Sequence, residues 1–352
     1  MIISRTPFRI SFLGGGTDYP AWYRAHGGAV LGTTIDKYCY LTCRYLPPFF
    51  EHRLRVVWSK IENCQTVEEI THPAVRATLQ YLNPRKGLEI HHDGDLPARS
   101  GIGSSSSFVV GLLHALHALE GRMVSKTRLA DEAIHIEQEI LNETVGSQDQ
   151  VLAAHGGLNH VCFLPNGAIS VTPVTLSRER LEAFNEHLML FFTGIRRTSS
   201  DVAETSLRQM EANKRHLRVM TDLVGEGIAI LNSGDDLLRF GGLLREAWQL
   251  KRELGPKVST PQIDEIYQEA ISAGAVGGKI MGAGSGGFML LFVPPTRQEA
   301  VRERLRGMIS VPFRFDHDGS RIIFFDPEED FTVAENIRSR HNIAPFREAG
   351  GE

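Results

Sequence analysis

A glycine-rich loop that runs into four serines and an apolar helix constrains this chain more than any other segment. It reads Pro97-Ala-Arg-Ser-Gly-Ile-Gly-Ser-Ser-Ser-Ser107, and Phe108–Leu119 follows with apolar residues at helical spacing. A helix start exposes backbone N–H groups and the positive end of the helix dipole. Glycines before it let the backbone wrap closely around an anion, so the segment predicts a phosphate site. A serine N-cap is the structural alternative, although one serine would satisfy a cap.

Two familiar nucleotide-binding motifs are excluded by context. The loop lacks the Gly-Lys-Ser/Thr ending of a Walker A motif. A second cluster, Gly282-Ala-Gly-Ser-Gly-Gly287, matches the dinucleotide pattern GxGxxG, which requires a helix after it. Here Phe288–Val293 follows, with the composition and length of a strand. This argues against a nicotinamide-dependent oxidoreductase and predicts a tight loop pressed against another backbone or a nucleotide.

Length and composition indicate a two-domain α+β protein. The chain has 352 residues, more than one hydrophobic core usually fills, so we expect two domains at 1–180 and 181–352. The polar, turn-rich stretch 165–185 is the candidate boundary. Strands mixed with helices in both halves indicate the α+β class. The predicted strands are 1–13, 30–45, 53–59, 87–92, 187–193, 288–293 and 312–326; the predicted helices are 67–82, 108–119, 126–143, 148–155, 199–231, 235–254, 261–273 and 296–308; and 277–287 is predicted as a glycine loop.

Charge and cysteine usage limit the partners and the compartment. The net charge of −4 offers no broad basic field for nucleic acid or an anionic membrane, and the N-terminus resembles neither a signal peptide nor a membrane span. Cysteines stand at 39, 43, 64 and 162 without a CxxC pair. We interpret them as small hydrophobic residues in a reducing cytoplasm, with zinc or a disulfide as the alternative.

Two acidic residues flank a predicted chain reversal. Glu137 lies on the helix 126–143, and Asp149 lies in the first turn of the helix 148–155, after a break at Gly146. The helix dipole favours an anion in the first turn. Phosphoryl transfer needs one carboxylate that orients or deprotonates the attacking hydroxyl and another group that holds Mg²⁺. The two residues are therefore candidates for these roles, with solvated surface acids as the alternative.

An arginine pair lies between a predicted strand and a predicted helix. Arg196 and Arg197 are followed by Thr-Ser-Ser. Arginine forks suit phosphate, and helix starts attract it. The pair is either a site for an anionic group of a substrate or a solvated pair at a helix start.

Three segments, in this order, resemble the GHMP kinases, the family that includes galactokinase, homoserine kinase and mevalonate kinase. They are Pro7-Phe-Arg-Ile-Ser-Phe-Leu-Gly-Gly-Gly-Thr-Asp-Tyr-Pro20, Leu96-Pro-Ala-Arg-Ser-Gly-Ile-Gly-Ser-Ser-Ser-Ser107 and Lys279-Ile-Met-Gly-Ala-Gly-Ser-Gly-Gly287. The resemblance implies an N-terminal mixed-sheet domain, a ferredoxin-like C-terminal domain and an active site in the cleft between them. It also implies that ATP and Mg²⁺ are used.

The same resemblance implies a role for each matching residue. Asp149, in Gly-Ser-Gln-Asp-Gln, matches the catalytic aspartate, and Arg9 would help to polarise the reacting hydroxyl. Asp18 would accept hydrogen bonds from the sugar hydroxyls, and Glu137 and Ser105 would hold Mg²⁺. The third segment would support the phosphate loop. The other implied contacts are Ser100, Gly101, Gly103, Ser104 and Ser106 with ATP, and Gly16 and Thr17 with the sugar.

The first segment restricts the range of sugars that we expect as the substrate. Galactokinases read Gly-Glu-His-Thr-Asp-Tyr where this chain reads Gly14-Gly-Gly-Thr-Asp-Tyr19, which disfavours galactose. That form, together with Thr193-Gly-Ile-Arg-Arg-Thr-Ser-Ser200, resembles the branch that phosphorylates the anomeric hydroxyl of D-glycero-D-manno-heptose 7-phosphate on the way to nucleotide-activated heptose for bacterial surface polysaccharide. The arginine pair would then hold the 7-phosphate.

Two other functions are left open by the sequence. One is a kinase of a free sugar such as fucose. The other is a catalytically silent sugar- or nucleotide-binding regulator, which is disfavoured because both candidate acids are present. The partners expected are therefore a sugar phosphate and ATP, and a homodimer stays open.

Overall fold

The computed structural model describes residues 1–195, 205, 210–326, 331–341 and 344. Within these residues the strands form a nine-stranded mixed sheet and a four-stranded antiparallel sheet, with helices against both. The predicted α+β class is confirmed. The strands are β1 (Ile2–Leu13), β2 (Gly28–Tyr45), β3 (Leu54–Val57), β4 (Ile61–Cys64), β5 (Leu88–Gly94), β6 (Asn159–Phe163), β7 (Ile169–Pro173), β8 (Leu188–Phe192), β9 (Gly277–Ile280), β10 (Phe288–Phe292), β11 (Ile309–Val311), β12 (Phe315–Asp316) and β13 (Arg321–Phe325).

The helices lie between these strands and after the last of them. They are α1 (Pro20–His26), α2 (Pro73–Leu82), α3 (Ser104–Leu119), α4 (Lys126–His135), α5 (Gln148–His155), α6 (Arg178–Glu186), α7 (Lys214–Asn232), α8 (Leu238–Glu253), α9 (Pro261–Ser272), α10 (Gln298–Arg304) and α11 (Thr332–His341).

The first sheet is organised around the long antiparallel pair β1 and β2. Its order is β13-β1-β2-β5-β3-β4, and β6 and β12 also pair with β2. The β3–β5 pair is parallel, so the sheet is mixed, as the resemblance implied. The apolar helix α3 packs across β1, where the Ser4 hydroxyl donates a hydrogen bond to Gly111 O at 2.8 Å. This packing fixes the start of α3 beside the strand that carries Arg9.

The second sheet has the ferredoxin-like topology. Its order is β11-β8-β10-β9, and its three strand pairs are antiparallel. Along the chain the elements run strand, helices, strand, strand, helix, strand, which is the βαββαβ arrangement. All five residues of Phe288–Phe292 are buried, because helices cover one face of the sheet and the first domain covers part of the other.

The last two strands return to the first sheet. β13 pairs with β1, and β12 pairs with β2. A sheet edge presents unpaired N–H and C=O groups, and β13 satisfies those of β1. Sheet membership therefore does not follow the predicted division at 1–180 and 181–352, because residues 315–325 belong to the first sheet. The division otherwise stays a prediction.

The stretch 165–185, expected to be a turn-rich boundary, is structured. It contains β7 and most of α6, where Ser177 Oγ accepts a hydrogen bond from the Arg180 N–H at 3.2 Å as an N-cap. Phe184 is fully buried, with its ring 5.2 Å from that of Phe12. The helix is hard to recognise from its polar composition because a single aromatic side chain supplies its burial.

Three further boundaries differ from the sequence prediction. The helix predicted at 67–82 begins at Pro73, because proline at the first helical position has no N–H to satisfy. The helix predicted at 126–143 changes at Ile136 into a π-helical turn that ends at Ile140. The glycine loop predicted at 277–287 begins with strand β9, which pairs with β10; Gly277 is required there because a Cβ would lie 2.0 Å from Gly241 O.

No helix in the described ranges combines the length and the apolar character needed to cross a membrane. Cys39, Cys43 and Cys64 are buried and Cys162 is partly exposed, and none of these four described residues forms a disulfide.

Candidate active site

The serines at the start of α3 do not cap the helix. The N-cap is Gly103 in the left-handed region with φ 73°, and no side chain forms a cap hydrogen bond there. The hydroxyl of Ser106 donates to Glu137 Oε2 at 2.8 Å, and that of Ser107 donates to Pro7 O at 2.9 Å. Ser104 Oγ accepts the Arg99 N–H at 3.1 Å. The N-cap alternative is therefore wrong, and the dipole end of α3 lacks a capping side chain.

The second glycine cluster packs directly against this loop. The Phe288 N–H donates to Ser100 O at 3.1 Å, and the Ser100 hydroxyl donates to Pro97 O at 2.6 Å. A Cβ on Gly287 would lie 2.1 Å from Ser100 O, and one on Gly101 would lie 2.5 Å from Met281 O. Only glycine permits such close backbone contact. The prediction of a tight loop pressed against another backbone is confirmed.

Arg9 and Asp149 form a two-point ion pair against the phosphate loop. Arg9 Nε donates to Asp149 Oδ1 and Arg9 Nη2 donates to Asp149 Oδ2, each at 2.6 Å. Arg9 Nη1 donates to Gly101 O at 2.6 Å. Arg9 is only 3% exposed, whereas the Asp149 side chain is 25% exposed. The pairing fixes the orientation of the carboxylate and leaves part of it accessible.

Glu137 contacts the first turn of α3 through one of its two carboxylate oxygens. It is 0% exposed, and its Oε2 accepts hydrogen bonds from Ser106 and from Gln150 Nε2. Its Oε1 is buried and has no hydrogen-bond partner among the described residues. The pKa of Glu137 is raised to about 7, mainly by burial and also by the charges of Glu143 and Asp149, while its hydrogen bonds act in the opposite direction. A buried carboxylate oxygen with nothing to neutralise it fits a cation.

No cluster of three or more His, Cys, Asp or Glu side chains suited to a metal occurs in the part of the chain that the structure describes. Mg²⁺ usually takes one or two carboxylates and completes its shell with waters and substrate phosphates. The pair Glu137 and Ser106 beside the α3 start is compatible with that pattern. Ser105 is exposed in the same turn, and its predicted role as a magnesium ligand stays a prediction.

Asp18 is a buried carboxylate beside the start of α5. Its Oδ1 accepts the Gly16 N–H at 2.9 Å, and its Oδ2 accepts the Gln148 N–H at 3.3 Å. Burial raises the pKa of Asp18, and the neighbouring charge of Asp149 raises it too. The Thr17 hydroxyl lies 2.8 Å from Gly14 O and 3.0 Å from Ala29 O. Thr17 thus holds the turn, while Asp18 joins it to the helix that carries Asp149.

Lys279 was missed as a site residue by sequence reasoning. Its buried ammonium donates to Ser11 O and Phe12 O, each at 2.9 Å, and so ties β9 of the second sheet to β1. The pKa of Lys279 is lowered to about 7, mainly by burial and also by the charge of Arg9, while the charge of Asp18 acts in the opposite direction. One sequence feature could have identified Lys279: it is the only charged residue in the short run of glycines and apolar residues at the start of the third motif. Gln150, a polar residue on an apolar helix, was a similar signal.

The structure therefore brings together residues from distant segments: Arg9 and Asp18 from the first motif, the phosphate loop, Glu137, and Asp149. Arg196 and Arg197 lie outside the described residues, and their proposed contact with a substrate anion stays a prediction.

Family models match one segment in each half of the chain. The GHMP kinases N terminal domain matches residues 67–157, a range that contains α3, Glu137 and Asp149. The GHMP kinases C terminal model matches residues 229–310, which include the second glycine cluster.

Individual relatives match over most of their length. The D-glycero-alpha-D-manno-heptose 7-phosphate kinase of Campylobacter jejuni is 28% identical over 319 residues, which cover 87% of this chain and 93% of the relative. The galactokinase of Pyrococcus furiosus is 25% identical, over 86% of this chain and 92% of the relative. The crystal structure of a D-glycero-D-manno-heptose 1-phosphate kinase from Bacteroides thetaiotaomicron has a TM-score of 0.76 at 23% identity, covering 93% of this chain and 100% of that one. Because this identity is only 23%, the similarity to that structure is evidence of a shared fold.

Proposed function

This chain belongs to the GHMP kinase family, and from that premise we propose that it is a cytoplasmic, ATP-dependent sugar kinase. Its reaction is phosphorylation of the anomeric hydroxyl of D-glycero-D-manno-heptose 7-phosphate to the 1,7-bisphosphate. The observation that carries the proposal is the Arg9–Asp149 pair, which lies against the phosphate loop and beside buried Asp18. A phosphate donor and a hydroxyl acceptor would meet at this pair.

The donor end is the start of α3. Backbone N–H groups of the loop and helix would bind the ATP phosphates, with the Ser104, Ser105 and Ser106 hydroxyls nearby. Glu137 would hold Mg²⁺ together with Ser105 or Ser106. A bound Mg²⁺ supplies charge neutralisation to the phosphates.

The acceptor end is organised by Asp149. The attacking hydroxyl passes its proton to the Asp149 carboxylate, its oxygen forms the bond to the γ-phosphorus, and the bond to the bridging β,γ-oxygen breaks to release ADP. Arg9 keeps the carboxylate oriented through its two hydrogen bonds. Asp18 accepts hydrogen bonds from the other sugar hydroxyls.

Two features favour the heptose phosphate over the other sugars. The heptose 7-phosphate kinase of Campylobacter jejuni aligns over 93% of its length. The pair Gly15-Gly16 stands where galactokinases have Glu-His, so the side chains of that pair are missing at the sugar end. Arg196 and Arg197 are proposed to hold the 7-phosphate, in a pathway to nucleotide-activated heptose for surface polysaccharide.

The test is ADP release with a panel of D-glycero-D-manno-heptose 7-phosphate, the unphosphorylated heptose, fucose and galactose. We expect the highest kcat/KM for the heptose 7-phosphate. Replacing both Arg196 and Arg197 by glutamine should raise KM for the phosphorylated heptose far more than for the free heptose. A higher kcat/KM for fucose would replace the substrate proposed here, and no ADP release with any sugar would favour the regulator.

A further inference from the structure

Lys279 is a buried lysine at the contact between the two sheets. It is 4% exposed, and its ammonium donates hydrogen bonds to Ser11 O and Phe12 O, each at 2.9 Å. In the ranges that the structure describes, no carboxylate forms an ion pair with it. A buried charge without an ion-pair partner is costly, and an apolar side chain of similar volume would avoid that cost. Packing alone therefore does not account for a lysine at this position.

The two strands that Lys279 joins lead to different parts of the candidate site. On one side, β9 runs into the second glycine cluster, where Met281 O would lie 2.5 Å from a Cβ on Gly101 of the phosphate loop. On the other side, β1 carries Arg9 and continues into the turn that holds Asp18. The hydrogen bonds of Lys279 therefore connect the support of the phosphate loop with the strand that precedes the sugar end, across 268 and 267 positions of chain.

A second buried lysine holds the glycine cluster from the other direction. Lys251 lies on α8, is 9% exposed and donates a hydrogen bond to Gly282 O. This bond connects α8 with the loop after β9, whereas the bonds of Lys279 cross to the first sheet. The two lysines together fix the glycine cluster both to its own helix layer and to the strand that carries Arg9.

We propose that the Lys279 ammonium is a positioning group for phosphoryl transfer, which holds the second glycine cluster and the end of β1 at a fixed separation. This inference rests on the proposed function and adds a residue that acts through others. The donor phosphates would lie at the loop that the cluster supports, and the acceptor hydroxyl would lie beside Asp149, which Arg9 of β1 orients. A change in the separation would misalign donor and acceptor, and a misplacement of about 1 Å can lower the rate about 100-fold.

The charge of Lys279 strengthens this contact. A charged N–H donor forms a hydrogen bond about twice as strong as a neutral one. The pKa of Lys279 is lowered from 10.5 to about 7, mainly by burial and also by the charge of Arg9, while the charge of Asp18 acts in the opposite direction. Nearby, Asp149 is the ion-pair partner of Arg9, and Lys251 lies on α8, which packs against β9. The contact with β1 should therefore weaken as pH rises through about 7.

Stability and activity should respond to this ionisation in opposite directions. The folded state releases the Lys279 proton near pH 7, whereas the unfolded state keeps it up to about pH 10.5. The part of the free energy of unfolding that depends on Lys279 therefore rises as pH increases from 7 to 10.5. The positioning of donor and acceptor weakens over the same range. A lysine that served only the stability of the fold would not produce this opposition.

The experiment compares Lys279→Met with the wild-type enzyme at about pH 6 and about pH 9. Methionine keeps an unbranched apolar side chain but has no ammonium. Lys126→Met is the matched control, because exposed Lys126 also donates to two backbone carbonyl groups, His155 O at 2.7 Å and Asp318 O at 2.8 Å. We measure kcat with the heptose 7-phosphate, KM for ATP, Tm, and the free energy of unfolding in urea between about pH 7 and about pH 9. Lys279→Arg, which keeps a charge that does not titrate, is the second variant.

We expect the ratio of wild-type kcat to that of Lys279→Met to be about 30 at about pH 6 and about 5 at about pH 9, because wild type loses the ammonium at the higher pH. Glu137 and Asp18 titrate in both enzymes, so their effects cancel in the ratio. KM for ATP should stay within about threefold of wild type, and Lys126→Met should keep kcat within about twofold. From about pH 7 to about pH 9, the free energy of unfolding of wild type should rise relative to that of Lys279→Met.

Two results would overturn the positioning role. One is a kcat of Lys279→Met within about twofold of wild type at both pH values. The other is a ratio that changes by less than about twofold between the two pH values, which would make Lys279 a purely structural residue. If Lys279→Met does not fold, the ratio of wild-type kcat to that of Lys279→Arg decides, and it should fall at least about threefold from about pH 6 to about pH 9.

Failure of the proposed function gives a different result. If wild type releases no ADP with the heptose 7-phosphate but acts on another sugar of the panel, the same variants are measured with that sugar, and the same criteria apply. If wild type releases no ADP with any of these sugars, the proposed function and the positioning role both fall, whatever the unfolding measurements show.

Discussion

The phosphate end and the sugar end of the candidate site are built in opposite ways. The phosphate end consists mainly of contiguous backbone: the loop before α3, closed by the second glycine cluster through contacts such as Phe288 N–H to Ser100 O at 3.1 Å. The sugar end consists of buried charged side chains from separate segments, namely Arg9, Asp18 and Lys279, with the more accessible Asp149.

This difference has a functional consequence. Backbone N–H groups do not titrate and survive most side-chain substitutions, so the phosphate end should tolerate change in pH and sequence. Buried charges balance one another, so the loss of one partner leaves another charge uncompensated. The sugar end should therefore respond strongly to single substitutions, and separate measurements of KM for ATP and for the sugar distinguish the two ends.

The largest effect is expected for Asp149→Asn. The asparagine cannot accept the proton of the attacking hydroxyl and leaves Arg9 without an anionic partner, so kcat should fall by about 10³ or more. KM for ATP should stay within about threefold, because the phosphate loop is backbone. The control is Asp131→Asn, an exposed acid on α4. Retention of a tenth of wild-type kcat would show that Asp149 is not the base.

Glu137 is an exception at the phosphate end, because it is a buried side chain that titrates. The pKa of Glu137 is raised from its ordinary 4.5 to about 7 by burial, so the folded state binds its proton more tightly than the unfolded state does. Without Mg²⁺ the free energy of unfolding should fall as pH rises from 4.5 to 7 and level off above that. Metal binding needs the carboxylate deprotonated, so affinity for Mg²⁺ should fall below pH 7.

Glu137→Gln should separate stability from activity. Removing the buried ionisation should stabilise the metal-free protein by about 1–3 kcal/mol at about pH 8, while kcat falls about 10²-fold. Urea unfolding at about pH 5 and about pH 8 and a magnesium titration of activity measure both effects. Glu139→Gln, an exposed glutamate in the same π-helical turn, is the control. Lower stability of Glu137→Gln at the higher pH would contradict the assigned cost of burial.

The smallest effect is expected for Gly287→Ala, which tests whether the second glycine cluster supports the phosphate loop. Alanine at position 287 would place a Cβ 2.1 Å from Ser100 O at a φ of +88°, so the loop must shift. We expect Gly287→Ala to raise KM for ATP about tenfold while KM for the sugar changes less than about threefold. Gly307→Ala, with open space around it, is the control for Tm and kinetics. An equal rise in both KM values would mean that the two ends do not respond separately.

Much of the phosphate end was predictable from sequence because it is local. Consecutive residues specify the loop, the helix start and the strand after the second glycine cluster. Asp149 was correctly expected in a first helical turn. The hydroxyl partners were not predictable, because Ser106 donates to Glu137 across 31 positions of chain and Ser107 donates to Pro7 O across 100. Such distant partners are invisible in the local pattern, so the cap alternative could be rejected only in the folded chain.

The sugar end was predictable mainly through resemblance. Arg9 and Asp18 were named from a family motif, but their partners depend on long-range packing, since Arg9 meets Asp149 across 140 positions. Lys279 gave only the weak signal of a charge among apolar and glycine residues. Its function as a link between the sheets appears once β9 lies beside β1.

The amino-acid sequence by itself determined the local elements: a glycine-rich turn before an apolar helix, a glycine loop before a strand, and acids at a chain reversal. These follow from backbone sterics and side-chain periodicity, which act over a few residues. Only the tertiary structure decided which polar groups face each other, which carboxylates are buried, and which glycines permit close backbone contact. The reason is that burial and pairing depend on the packing of segments far apart in the chain.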